Sequence, residues 1–396
     1  MHTSAIMGDM LHLEQLKDSV EALSQKVVKS HQQRTLELET ALRWLEEVPD
    51  SNTLREQVKA APDLAESAAI PATDVPLNQR ITQTNAVPKE TAVVAVDGSQ
   101  IAPDRHAAVL YYLIQVGGLL FRYNSEAPLP FAKANLYHED TDLFDQEGLV
   151  ITWQLGLRRT VAEIVYLAEL TKIAHKVAHP SPIIALTDGP LLWTYRNQRD
   201  EEKQAFATYM EALTTMQKEG GMPAGFTERP GGNPLISLLA LSKKLGPSKT
   251  AEQERELRTL TDHDLMARFL KPGQRSAWLQ RSSEMNTQHA HHGHRIWFCY
   301  INVGEPGYPV IARLETPEWA AQQTTWCETL HAVLVQQAEV LHGNPYVLAR
   351  AHELALVTNK DKAALDIALQ QRLFEQGIES HTSEKARQKS YLSWQR

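Results

Sequence analysis

The stretch TAVVAVDGSQ, Thr91–Gln100, sets the reading of the chain: a run of small and β-branched residues, Ala92–Val96, ends abruptly in Asp97-Gly98-Ser99. A short apolar run without polar alternation reads as a strand buried on both faces. An acid where such a strand runs out has two ordinary explanations, a cap on a following helix or an Asp-Gly hairpin turn. Further along, IIALTDGP repeats the device, closing a second short apolar strand with Asp188-Gly189. Between the two lies ITWQLGLRRTVAEIVYLAELTKIAHKVA, whose Leu155, Val161, Ile164, Val165, Leu167, Ala168 and Ile173 mark one face of a long helix. Strands and helices in that alternation predict a mixed α/β core.

The totals narrow the function classes. The longest apolar runs, such as AVVAV and PLISLLAL, fall short of the ~18 residues of a membrane span, and the N-terminus lacks a basic-then-apolar signal. The expectation is a cytoplasmic protein with no membrane contact. Cys299 and Cys327 form neither a CxxC pair nor a disulfide framework, which suits a reducing compartment and argues against thiol redox chemistry or cysteine-bound zinc. A formal net charge of −8 argues against nucleic-acid binding over the whole surface. It leaves room for a local basic groove around a carboxylate-lined metal site, where bound cations reverse the local charge logic. The chain has no P-loop, dinucleotide fingerprint, HExxH or GxSxG elbow.

Three segments follow from composition. Residues 1–48 form a helical arm, with Leu13, Leu16, Val20, Leu23, Val27, Leu36, Leu38, Leu42 and Leu45 at helical spacing, for packing on its own domain or for dimer or partner contacts. Residues 49–90, rich in Ala, Pro, Asp, Ser and Thr, read as a linker with at most short helices. Residues 91–396 form the main domain. In it, HAAVLYYLIQVGGLLFRY reads as two antiparallel strands joined near Gly117-Gly118. GMPAGFTERP reads as a strand and turn, Pro234–Leu245 as a helix, and TDHDLMARFLKPGQRSAW as a polar-headed helix ending in a Pro-Gly turn. HRIWFCYINVG and YPVIARLETP read as paired strands before a largely helical C-terminal region.

Carboxylates at the ends of neighbouring strands are how rigid elements hold hard divalent cations such as manganese or magnesium. Asp97 and Asp188 are the first candidates. The intervening helix offers Glu163 or Glu169 as a third ligand, on different faces, so at most one points at the site; Arg159, four residues before Glu163, is its helix-surface partner. His352, in GNPYVLARAHELALVT, is either a packed histidine or a ligand and proton-transfer group. The tract QHAHHGHR, with His289, His291, His292 and His294, lacks acidic or cysteine partners and reads as a solvated loop.

Taken in order, VVAVDGS, RTVAE, ALTDGPL, GFTERP, TDHDLMARFLKPGQRS, ARLETP and NPYVLARAH resemble the NurA nuclease family. The resemblance implies an RNase H-like mixed sheet flanked by helices, and a manganese-dependent DNA nuclease (magnesium as the alternative) of DNA-end resection and double-strand-break repair. It also implies a homodimer working on DNA ends with a HerA-like hexameric translocase. Carried across, it names Asp97, Glu163, Asp188 and His352 as metal-binding and catalytic residues, with Glu169 the alternative to Glu163. Glu163 is preferred because Arg159 matches the family's RxxxE helix start. Where the family commonly has Tyr before the motif's Pro, this chain has Asn344, with Tyr346 two residues on. That departure keeps a second reading open, a NurA-fold interaction subunit with weak or no cleavage. Ser99, Arg229, Tyr346, Lys385, Arg387 and Lys389 are candidates for phosphate contacts, or else solvated surface residues.

Overall fold

The computed structural model describes residues 13–62, 67–82, 85–125, 127–145, 148–177, 182–245, 257 and 259–378. A 3-10 turn, Leu13–Leu16, leads into α1 (Lys17–Glu46), α2 (Ser51–Ala60) and two short strands, β1 (Ala69–Pro71) and β2 (Ile81–Thr82). Three long strands follow, β3 (Ala92–Ile101), β4 (Tyr112–Arg122) and β5 (Leu129–Tyr137), then α3 (Asp140–Leu143) and the small hairpin β6 (Phe144–Asp145) and β7 (Gly148–Leu149). Next come α4 (Thr152–Val177), β8 (Ile183–Asp188), α5 (Asp200–Lys218) and β9 (Gly221–Glu228). Helices α6 (Pro234–Leu245) and α7 (Asp262–Phe269) precede β10 (Gln274–Arg275), β11 (Leu279–Arg281), α8 (Glu284–His291), β12 (Ile296–Asn302) and β13 (Ile311–Pro317). Helices α9 (Glu318–Ala321), α10 (Thr324–Glu339), α11 (Tyr346–Ala355) and α12 (Asn359–Glu375) complete the described chain.

The strands form one mixed sheet in the order β1-β11-β12-β13-β9-β8-β3-β4-β5, with β10 bridging β12 to β2. β8 lies parallel to β3 on one side and to β9 on the other; the remaining pairs are antiparallel. Parallel neighbours need crossover connections, which α4 and α5 supply. The run β5-β4-β3-β8-β9 with those two helices is the RNase H-like arrangement.

The sheet's two faces explain the unbroken apolar run of β3. Ala92, Val94 and Val96 pack with Leu155, Ile164 and Leu167 of α4 and Leu213 of α5. Val93 and Ala95 face the other way, against Leu330 of α10 and Val347, Leu348 and Ala351 of α11. A further core joins Leu45, Leu54, Leu239 and Leu265 of α1, α2, α6 and α7 to Tyr300 of β12.

Two sequence expectations change here. Gly117-Gly118 is no turn: both glycines lie inside the single strand β4, paired to β3 and β5. A Cβ at Gly117 would come within 2.6 Å of the Ala351 carbonyl oxygen, so its absence lets α11 press its backbone onto the strand. The stretch 49–90 holds more than a short helix. Asp50 caps α2 by accepting the N–H groups of Asn52 and Thr53, Leu54 is fully buried, and β1 and β2 join the main sheet. Along the 3-10 turn and α1, every residue from Glu14 to Leu36 is exposed, whereas Ala41, Trp44 and Leu45 are buried. Among the described residues no helix is long and apolar enough to cross a membrane.

Candidate metal centre

The register of β3 and β8 places the two acids. Val96 pairs with Thr187, so the next residues, Asp97 and Asp188, project on one face, the one covered by α11. Beyond this pair β8 ends while β3 continues to Ile101 along β4, which excludes the hairpin and helix-cap readings of Asp97. His352, on the last turn of α11, meets Asp97 directly, with Nδ1 2.6 Å from Oδ2. The other Asp97 oxygen accepts the Gly98 N–H at 2.8 Å.

Glu163 arrives from the opposite face of the sheet. It projects from α4 over Gly98, where any Cβ would collide with its carboxylate oxygen and lie 2.9 Å from Arg159 Cγ. Arg159, one turn earlier, brings Nε to 3.2 Å from Glu163 Oε1. Burial, together with the charges of Asp97 and Asp188, pushes the Glu163 carboxyl up to about 7 against the pull of Arg159. Asp188 is raised too, chiefly by burial and then by Asp97 and Glu228. These carboxyls therefore feel one another as a single acidic site at the ends of two parallel strands. Among the described residues, however, no group of three His, Cys, Asp or Glu side chains is drawn close enough to hold an ion ready-made. Asp97 is turned to His352 and Glu163 to Arg159. The hard-oxygen donors suit a divalent cation, which would favour the ionised forms of Glu163 and Asp188 that burial first, and neighbouring charge second, disfavour.

The loop after Asp188 is held from four sides. Gly189, at φ +98°, adopts the left-handed conformation that favours glycine and donates its N–H to Phe226 O. Buried Glu315 accepts the N–H groups of Leu191 and Leu192, both at 2.8 Å, while its other oxygen pairs with Arg313. Tyr209 donates its hydroxyl to Leu191 O, and His289 Nε2 accepts the Trp193 N–H. The loop thus walls a cavity of about 170 Å³ lined by Arg159, Thr160, Glu163, Asp188, Trp193 and Thr194, among others.

The remaining candidates scatter. Glu169 faces away from Asp97 and Asp188, pairing with Lys133 at 3.5 Å beside a cavity of about 520 Å³ between α4, α5 and the β4–β5 edge. That larger cavity contains none of Asp97, Glu163, Asp188 or His352, so size alone does not mark the chemistry. Ser99 Oγ accepts the Val357 N–H just past α11 and so ties that helix to β3. Arg229, at φ 49°, is exposed beside Glu228 at the end of β9. Tyr346 packs edge-to-face on Phe121, which pairs with Val93, four residues before Asp97 on β3. Lys385, Arg387 and Lys389 lie outside the described residues.

The histidine tract is not a solvated loop. His289 lies in α8 and His294 just after it, both buried. Burial pushes them down, to about 3 and about 4, so both rings are neutral. His294 bonds Thr214 and accepts from Trp319 Nε1, leaving only His291 and His292 exposed. Sequence reasoning also missed Glu228, although GFTERP ends an apolar strand in an acid as the two Asp-Gly strands do. Glu315 gave no such signal, because its task depends on a loop distant in sequence.

The NurA domain family model matches residues 91–357, about two thirds of the chain and the whole of this site. The chain belongs to the NurA family. No curated protein matches it. Solved structures described as NurA, as NurA with manganese, and as NurA bound to dAMP and manganese align with 80, 90 and 88% of this chain and with 95, 98 and 95% of theirs. Their identities are 12, 11 and 12% and their TM-scores 0.39, 0.38 and 0.34, a likeness that assigns no residue a role. The family assignment supports a nuclease-like role; the residues that would carry it rest on the geometry above.

Proposed function

We propose that this NurA-family protein is a divalent-cation-dependent deoxyribonuclease that hydrolyses phosphodiester bonds during DNA end resection. The observation that carries this reading is the convergence of Asp97, Glu163 and Asp188 from two faces of the sheet onto the ends of β3 and β8, with His352 against Asp97. Asp97, Glu163, Asp188 and His352 would hold the ion, manganese first and magnesium as the alternative. When bound, it supplies Lewis-acid stabilisation of charge on the phosphate and on the leaving oxygen. The carboxylate of Asp97 accepts the Nδ1 proton of His352, which leaves Nε2 as the nitrogen that would either ligate the ion or, in place of that, take or give a proton at the exposed edge. Leu192 and Trp193 line the cavity beside Glu163 and Asp188.

The wider context follows the same family reading: a homodimer acting on DNA ends with a HerA-like hexameric translocase. The exposed half of α1, with Val20, Leu23 and Val27 on its surface, suits such protein contacts. The second reading, an interaction subunit without efficient cleavage, draws on Asn344, on the pairing of Asp97 with His352 and on that of Glu163 with Arg159. One assay separates them. Purified protein with manganese should cut single- or double-stranded DNA, and Asp97→Asn and Asp188→Asn should abolish cutting while keeping a cooperative melt. Full activity in either variant would overturn the assignment of the site to Asp97 and Asp188, and no cleavage by the unaltered protein would overturn the nuclease reading.

A further inference from the structure

Arg159 is paired less completely than its position requires. Its Cγ packs over Gly98 and its Nε approaches Glu163 Oε1 at 3.2 Å, yet that Nε is buried without an acceptor at hydrogen-bond geometry. Among the described residues nothing accepts a hydrogen bond from the rest of the guanidinium, and the side chain is 40% exposed. Nε is held beside Glu163 as an ion pair, so the donors left for a ligand are those at the exposed end of the guanidinium. The side chain lines the same cavity of about 170 Å³ as Glu163, Asp188 and Thr194.

The local charge says what that ligand is. A guanidinium beside carboxylates that are to hold a cation opposes the cation by Coulomb repulsion. A site of acids alone would likewise repel a phosphodiester. An anion carried in with the substrate satisfies both, and the planar fork of arginine matches two non-bridging phosphate oxygens. We infer that Arg159 is a substrate-binding residue that grips a backbone phosphate of the DNA strand through Nη1 and Nη2, while its ion pair with Glu163 orients the guanidinium. The inference rests on the nuclease reading for its ligand, and it makes Arg159 more than a helix-surface partner of Glu163.

The test is equilibrium binding of a fluorescein-labelled single-stranded oligonucleotide in EDTA, across a salt series, for the unaltered protein, Arg159→Lys and Arg159→Gln. Arg159→Gln should weaken binding by about ten- to a hundredfold, as expected for a charge-assisted contact. The slope of log K against log salt should become shallower by about 0.7 for one lost phosphate contact on single strands. Arg159→Lys should keep the slope and lose part of the affinity. The rise in melting temperature produced by manganese alone should persist in Arg159→Gln, because a role limited to holding Glu163 would remove it. Unchanged affinity and slope in Arg159→Gln, or loss of the manganese-induced rise in step with binding, would overturn the assignment. The two readings fail separately: weakened binding in Arg159→Gln with full cleavage in Asp188→Asn would uphold Arg159 and sink the metal-centre account.

Discussion

Replacing Gly98 by alanine separates the fold from the site. Gly98 lies outside the left-handed region, so alanine suits the main chain, and the less mobile unfolded state contributes about 0.4–1 kcal/mol of stability. The new Cβ would nevertheless collide with Glu163 Oε1 and stand only 2.9 Å from Arg159 Cγ and 3.0 Å from Glu163 Cγ. Carbon contacts relax at roughly 3.5–4 Å, so the Glu163 side chain has to retreat by about 1 Å. Because the obstacle is a side chain and not backbone, an off-rotamer adjustment costing about 0.5–1.5 kcal/mol accommodates it. The two terms nearly offset, and the melting temperature should move by no more than about 4 °C in a chain of this size. Catalysis is less forgiving, since a displacement of about 1 Å at the reacting centre costs on the order of 10²-fold. Single-turnover cleavage of an end-labelled oligonucleotide with manganese, run beside thermal melts, reads both quantities. Undiminished cleavage would refute the claim that Glu163 must reach over Gly98, and loss of the folding transition would show that Gly98 serves the fold instead.

Two further outcomes are expected. Glu315→Ala strips Arg313 of its buried partner and leaves the Leu191 and Leu192 N–H groups without an acceptor, a loss of about 3–5 kcal/mol that urea unfolding would register; Glu315→Gln, which still offers an acceptor to the loop, should lose less. A transition at the same urea concentration in Glu315→Ala would argue that the loop after Asp188 is held by other means. His294, kept neutral by burial at about 4, stays unprotonated in the fold while the unfolded chain takes up a proton below about pH 6.5. Its contribution is complete above that pH and is lost as pH falls toward 4. Carboxyls raised by burial, such as Asp262 at about 6, act in the opposite direction, so the useful quantity is a difference. The stability gap between the protein and His294→Gln should narrow by about 1.4 kcal/mol per pH unit from about pH 6 downward, and a pH-independent gap would contradict a neutral buried ring.

How much was legible depended on how local the cause was. Strands β3, β8, β9, β12 and β13 and helices α4, α6, α7 and α11 follow from periodicity and end signals within a few residues, as does the placing of Asp97 and Asp188 at strand ends. Gly117-Gly118 misled because glycine serves tight turns and close backbone approach equally well, and only α11, far along the chain, distinguishes them. The histidine tract misled because His289 and His294 find Trp193, Thr214 and Trp319 across the fold. The segment 49–90 looked like a linker because its short strands take their partners from residues near 275 and 280.

By itself, then, the sequence determined the alternation of buried strands and helices, and put an acid at the close of two apolar strands, because both are consequences of local patterning. Which of Glu163 and Glu169 lies toward Asp97 is a different kind of fact. The two lie six residues apart on one helix, and what separates them is that Gly98 opens a path for Glu163 toward Asp97 while Lys133 of the edge strand takes Glu169. The docking of α11, which sets His352 on Asp97, likewise comes from Gly117 and Ser99 on neighbouring strands. Contacts of that range depend on which elements become neighbours, and only the tertiary structure decides them.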